Sequence, residues 1–380
     1  MKWFAVNNFF EARRPIYRIM QTFCLTSLTV NFRDLTAEQT ATDQLRMIAG
    51  LFLCSVTLFF GYGNYQNQLQ QMSDSHIMIH GLLGTMIVLV CSLITNIIAN
   101  YVNGKRIFRC SVILNKFDQQ LKANFGHRWD YQQEHRIGVA LIVFGYLEWI
   151  VLAVSLIYGR RIRRNLEWLI AIMSYICYVW TMLSYQSGGV FFTTFLMSTG
   201  PVQDSLVARD SETSCRIVRK FALLHDQLCD TVELINRCFT VHATVALATA
   251  FGFTVFSLFG LIHSYATQAN KETIVLAWSN MAYDGFYLTF IVQLVVLSGL
   301  THSECTRTSV LIHKIVSYRS CDRKTLKELR MFSQQLWHHA PKVSCSLFDF
   351  DWPLFYTIVA SLTTYLVILV QFDLVNFNYA

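Results

Sequence analysis

IMIHGLLGTMIVLVCSLITNIIANY, residues 77–101, contains no Asp, Glu, Lys or Arg. As a helix rising 1.5 Å per residue, this stretch covers about 38 Å, more than the roughly 30 Å hydrocarbon core of a bilayer. Outward from it, six further apolar runs reach comparable length, approximately 46–64, 137–158, 168–199, 238–263, 273–299 and 353–373. Composition agrees: 53% of the residues are apolar and only 14% are charged, against roughly 25% charged in soluble domains. The expected fold is therefore an all-α membrane protein with seven transmembrane helices.

Charge between the runs sets the expected orientation. The side that carries the N-terminus and the connections after the second, fourth and sixth runs holds 26 of the 31 Lys and Arg. The opposite side holds Arg160, Arg161, Arg163, Arg164 and Lys271. The excess places the N-terminus in the cytosol, and seven crossings then put the C-terminus outside. The Arg160–Arg164 cluster runs against this bias. No cleavable signal peptide is read among the first residues, which lack a continuous apolar core. The stretch from Pro15 to Val30, interrupted by Arg18 and Gln21, reads as an interfacial or packed helix, with an eighth span as the alternative. The connections at 102–136, 200–237 and 300–352 are long, and Asp226 to Asn236 and Lys324 to Trp337 have helical spacing of apolar and charged residues. The helices are expected to extend into a cytosolic bundle. The fourth run carries Tyr175, Tyr178, Trp180, Tyr185 and the pair Gly188-Gly189, and exceeds the length a bilayer needs.

The eleven cysteines avoid the short external loops, so a reducing compartment and apolar packing account for them without disulfides. There is no C-x-x-C and no N-glycosylation sequon. His338 and His339 are adjacent on an expected helix, so their rings diverge and chelate one metal poorly. No P-loop, nucleotide fingerprint or hydrolase elbow is present, so neither metal, cofactor nor enzymatic activity is expected. The charge of +7 lies between apolar runs, without the basic–aromatic interleave that single-stranded nucleic acid requires.

Polar groups inside the runs are the candidate functional residues. In the seventh run Ser361, Thr364, Ile368 and Gln371 recur at spacings of three and four and form one narrow, partly polar stripe. An amide deep in an apolar helix needs a partner or water. Two readings fit: hydrogen bonding between helices of one subunit, or a wet pore lined by one such helix per subunit. Glu148 stands between Leu147 and Trp149, near Tyr146, and Asp284 stands between Tyr283 and Gly285, near Trp278 and Tyr287. A carboxylate inside a membrane is costly and points to function. Together with Tyr178 of the fourth run, these residues suit contact with a sugar, alkaloid or other small organic ligand, or alternatively pairing that serves assembly. Trp168 and Trp278 also fit as interface anchors. For His80, Gln186, His242 and Gln293, packing or an interhelical hydrogen bond is the simpler reading.

Thr364-Tyr365-Leu366-Val367-Ile368-Leu369-Val370-Gln371-Phe372 matches the pattern TYhhhhhQF, with h an apolar residue. It resembles the C-terminal signature of insect gustatory receptors, and Phe348-Asp349-Phe350-Asp351 is similar to the segment leading into that family's last helix. The resemblance implies a ligand-gated, non-selective cation channel, a homo- or heterotetramer with related receptors, multi-pass in the plasma membrane of chemosensory neurons. Its partners would be a small-molecule tastant, permeating cations and membrane lipid. It implies that Gln371 and Phe372 lie at the pore constriction, with Tyr365 and Thr364 deeper toward the cytosol. The expected division is 1–45 as a cytosolic N-terminal segment, 46–299 as six helices forming the ligand-binding region, 300–352 as a cytosolic anchor, and 353–380 as the pore helix with a short external tail. A metabotropic seven-helix receptor would call for the opposite orientation, and a secondary transporter for broken helices and internal symmetry.

Overall fold

A computed structural model describes residues 6, 8–26, 28–31, 36–72, 75–125, 131–132, 135–140, 142–143, 165–197, 211–269, 271–318 and 322–378. Eight helices are named here: α1 (Phe9–Thr22), α2 (Ala41–Met72), α3 (His76–Phe125), α4 (Asn165–Met197), α5 (Ser211–Ala266), α6 (Lys271–Tyr318), α7 (Arg323–His338) and α8 (Trp352–Asn378). Of the 137–158 run, only residues 137–140 and 142–143 are described, and they are helical; Arg160–Arg164 lie outside the described residues. Among the described residues, α2, α3, α5, α6 and α8 contain stretches long and apolar enough to cross a membrane.

Three of the apolar runs occupy one end of a much longer helix: 77–101 opens α3, 238–263 closes α5 and 273–299 opens α6. With 50, 56 and 48 residues, α3, α5 and α6 span about 75, 84 and 72 Å, over twice a bilayer core. Helix α4 is wedged against α5 and α6 by its two glycines. A Cβ on Gly188 would come within 2.9 Å of Ile235 Cδ1, and one on Gly189 within 2.6 Å of Leu297 Cδ1. Gly81 of α3 similarly faces the ring of Phe256 on α5, at 2.2 Å from a would-be Cβ. Such small residues let backbones approach where lipid offers no hydrophobic drive for association.

Helix α1 is a packed helix that starts six residues before the expected Pro15 and ends eight before Val30. Asn8 caps it by accepting a 2.8 Å bond from Glu11 N. Its buried face, Phe9, Ala12, Arg13, Ile16, Tyr17 and Met20, rests on α3 and α4. Arg13 is turned inward: its guanidinium donates to Ser184, Ser187 and the Leu183 carbonyl of α4 and lies over the rings of Phe9 and Trp180. These carbonyl and hydroxyl acceptors and ring faces compensate the buried charge. An unforeseen hairpin follows, β1 (Thr29–Asn31) against β2 (Thr36–Glu38) in antiparallel register. Asp43, fully buried, joins it to α2: its carboxylate accepts from Thr29, from the Thr40 hydroxyl and amide, and from Arg46 at 2.9 Å.

The inner ends of α3, α4, α5 and α6 form a bundle closed by α7, as the periodicity of Lys324 to Trp337 suggests. Asp322 caps α7 through Lys324 N, and Thr325, Leu329, Phe332 and Leu336 form its buried face. Stacked and edge-on rings run from Phe117 through Phe195 and Phe221 to Phe332, linking α3, α4, α5 and α7. His225 sits edge-on to Phe332 and is fully buried. Burial first, and then the neighbouring His339, lower its pKa from 6.5 to about 4. The unfolded chain therefore binds this proton before the folded one does. Stability is unaffected by this group above pH 6.5 and falls as pH drops from 6.5 toward 4, by about 3 kcal/mol over the full window. Thermal unfolding of the solubilised protein should show this loss, and His225→Gln should remove the acid-dependent part; an identical profile in the variant would exclude His225 as its source.

Between α7 and α8, Asn236 of α5 pins the chain on both sides, donating to the Lys342 carbonyl at 2.6 Å and accepting from Ser344 N at 3.3 Å. Phe350 is buried against Tyr185, and Asp351 caps α8 by accepting from Leu354 N.

Candidate pore helix and ligand site

Helix α8 packs against α5 and α6. Leu362 is the only buried residue between Trp352 and Asp373. Leu366, Leu369 and Val370 lean on Met78, Ile79, Leu82, Leu83 and Phe259 of α3 and α5. Thr364, Tyr365, Ile368, Gln371 and Phe372 are all exposed on the single subunit, Phe372 at 61%. The Thr364 hydroxyl donates to the Ala360 carbonyl one turn back, so it needs no other helix. Tyr365 meets Phe251 of α5 edge-on at 5.7 Å. The Gln371 side-chain amide makes no hydrogen bond to a described residue of its own subunit. The interhelical bond within one subunit, the simpler explanation of that amide, is thus not formed among the described residues.

Directly after this stripe stands a residue that the pattern did not single out. Asp373 accepts from Ser75 Oγ at 2.7 Å, ahead of α3, and its second oxygen lies 2.6 Å from His263 Nδ1 at the end of α5. The carboxylate and imidazole are largely shielded, with 15% and 5% of their side chains exposed. This junction ties the end of α8 to the ends of two other helices. The signal was present as a charge immediately after Gln371-Phe372 and a histidine closing the fifth apolar run, but pairing them required the fold.

Of the residues expected to contact a ligand, Tyr146, Glu148 and Trp149 lie outside the described residues, as does the side chain of Tyr283. Trp278 is half exposed and donates to Tyr265 Oη at 3.2 Å, the placement of an interface anchor. Tyr178, Asp284 and Tyr287 are brought into one buried cluster. Their rings or side chains connect four helices: the Tyr178 hydroxyl is 3.1 Å from Ser92 Oγ of α3, and its ring meets Tyr287 edge-on at 4.6 Å. Tyr287 stacks with Phe253 of α5 at 6.0 Å, and the adjacent Thr254 donates to Asp284 Oδ1 at 2.8 Å. The weaker polar candidates do form interhelical bonds: His242 with Asn100 at 3.0 Å and Gln293 with Gln186 at 3.4 Å.

One group of metal-capable side chains occurs among the described residues, Asp230, Glu233 and His339, in the α5–α7 bundle. Glu233 is already engaged by Arg237 at 2.5 Å and His339 by Asp226 at 3.1 Å.

Long helices that carry five membrane-length apolar stretches among the described residues mark a polytopic membrane protein. Residues 14–376 match the family model described as 7tm Chemosensory receptor, and the chain belongs to that family. It is 24% identical over 161 residues to the candidate gustatory receptor 28b of Drosophila melanogaster, covering 41% of this chain and 34% of that protein. Against the candidate gustatory receptor 28a of the same species, identity is 27% over 160 residues, covering 41% and 35%. The matched stretch thus spans about a third of the length of these relatives. The fold is that of the insect olfactory receptor OR5 from Machilis hrabei, with TM-score 0.53, 11% identity and coverage of 96% and 99% for the complex with eugenol. A second structure of that receptor gives a TM-score of 0.52 and 12% identity, with coverage of 96% and 99%.

Proposed function

We propose that this chain is a gustatory receptor acting as a ligand-gated, non-selective cation channel in the plasma membrane of chemosensory neurons. Four subunits, identical or related, surround a pore lined by α8, with the N-terminus cytosolic. Residues 1–45 form the cytosolic entry segment, 46–299 the ligand-binding helices, 300–352 the anchor and 353–380 the pore helix. A small-molecule tastant binds among the helices, where Tyr178, Asp284 and Tyr287 meet, with Tyr146, Glu148, Trp149, Trp278 and Tyr283 as further contacts.

The observation that carries this reading is the state of α8. Its apolar inner side seats on α3 and α5, while Thr364, Ile368 and Gln371 face outward at one helical spacing. In hydrocarbon the Gln371 amide would lack partners, at a cost of several kcal/mol. Facing a water-filled axis, it keeps them. The 26-to-5 division of Lys and Arg supports the orientation.

In cells expressing the chain, a rapidly applied tastant should evoke current that persists when G-protein signalling is blocked. A tag on Met1 should be protected in intact cells, and one after Ala380 accessible. A current that requires nucleotide signalling would replace the channel with a metabotropic receptor, and an accessible Met1 tag would invert the topology.

A further inference from the structure

Asp284 is fully buried in α6, and only one of its two carboxylate oxygens has a partner. Oδ1 accepts from Thr254, while Oδ2 has no hydrogen-bond partner among the described residues. No described Lys, Arg or His pairs with it. Three residues along α5 from Thr254, the buried Ser257 Oγ is likewise without a partner. Tyr287 lies one helical turn from Asp284, stacked with Phe253 and edge-on to Tyr178, which also meets Phe290 at 6.0 Å.

A buried carboxylate with one hydrogen bond is stabilised most by a cation that brings its own N–H donors. Aromatic faces within about 6 Å add attraction for a desolvated ammonium and cover its apolar body. A neutral ligand would leave the charge uncompensated. A saccharide would need many more hydrogen-bonding groups than this ring-dominated cluster offers. We infer that the ligand recognised here is a small organic cation, a protonated amine bearing an aromatic or aliphatic body, with its ammonium at Asp284 Oδ2 beside Thr254 and its body against Tyr287 and Phe253. This rests on the proposed ligand site and assigns its chemical class.

The test uses the full-length, detergent-purified protein with a series of ammonium chlorides, from trimethylammonium to 2-phenylethylamine. The neutral isostere 2-phenylethanol and sucrose serve as comparisons, and the shift of the unfolding temperature reports binding. At least one amine should stabilise the protein at a concentration about 100-fold below that at which its neutral isostere does. Asp284→Asn, which keeps the bond from Thr254, should abolish that preference. If this variant is not monodisperse, Tyr287→Leu replaces it and should weaken amine binding while leaving the carboxylate in place. No stabilisation by any amine, equal stabilisation by amine and isostere, or an unchanged preference in the folded variant would overturn the assignment. Whole-cell current separates the two proposals. Amines that bind yet open no current remove the channel and leave the site; current evoked by other compounds, with no amine bound, removes the amine site alone.

Discussion

Channels carrying Gln371→Glu should pass or bind divalent cations far more readily than wild type, with the Ca2+ to Na+ permeability ratio rising by about tenfold or with a comparable gain in Ca2+ block. Gln371 projects with Thr364 and Ile368 from the exposed face of α8, and its side-chain amide has no hydrogen-bond partner of its own subunit among the described residues. In a four-fold assembly the native side chains form a ring of neutral amides, which discriminates weakly among monovalent cations. The substitution changes shape little but places four carboxylates within one another's field, and Coulomb attraction for a double charge grows accordingly. Bi-ionic reversal potentials measure the ratio directly. Surface-expressed Gln371→Glu channels with unchanged permeation would remove α8 from the conduction path.

The second large effect is expected at Asp373. Its carboxylate holds Ser75 and His263 together, so α8 is clamped at the end nearest Gln371 and Phe372. Removing one partner of a shielded, charge-assisted pair costs about 1.5–3 kcal/mol, enough to shift a two-state equilibrium by roughly tenfold or more. Asp373→Asn and His263→Ala should each raise resting current several-fold by freeing that end of α8. The double variant should add little to either single one, because both remove the same contact. Additive effects, or normal resting current in both variants at normal surface expression, would show that the junction serves folding and not gating.

Much of the architecture was legible because the membrane imposes a coarse requirement. A stretch such as residues 77–101 can satisfy its backbone in hydrocarbon only as a helix, so its identity needs no knowledge of neighbours. The inner bundle was legible for a related reason, since Thr325, Leu329, Phe332 and Leu336 repeat at helical spacing. The hairpin was not, because three-residue strands such as Thr29–Asn31 carry no measurable alternation. The inward turn of Arg13 was also hidden, as nothing in α1 itself reveals that Ser184, Ser187 and Trp180 await it. The same limit applies to the site. Asp284 announced itself as a charge in an apolar run, whereas Thr254, Phe253 and Ser92 became visible only when α3, α4, α5 and α6 were brought together. Pattern records what a residue avoids; which residue it meets is a property of the assembled helices.

Helix α5 runs unbroken from Ser211 to Ala266, and three of the features above ride on it: His225 in the inner bundle, Thr254 at the carboxylate cluster and His263 at the α8 junction. The 29 residues between His225 and Thr254 make a rod of about 44 Å, while Thr254 to His263 is only about 14 Å. With a fulcrum near Thr254, a tilt of 3° would carry the inner end about 2 Å sideways and the outer end less than 1 Å. The short arm trades travel for leverage, and the His263–Asp373 junction lies on the short arm. A stimulus that rocks α5 thus reaches the Asp373 clamp as a small displacement, while most of the motion is swept out in the cytosol.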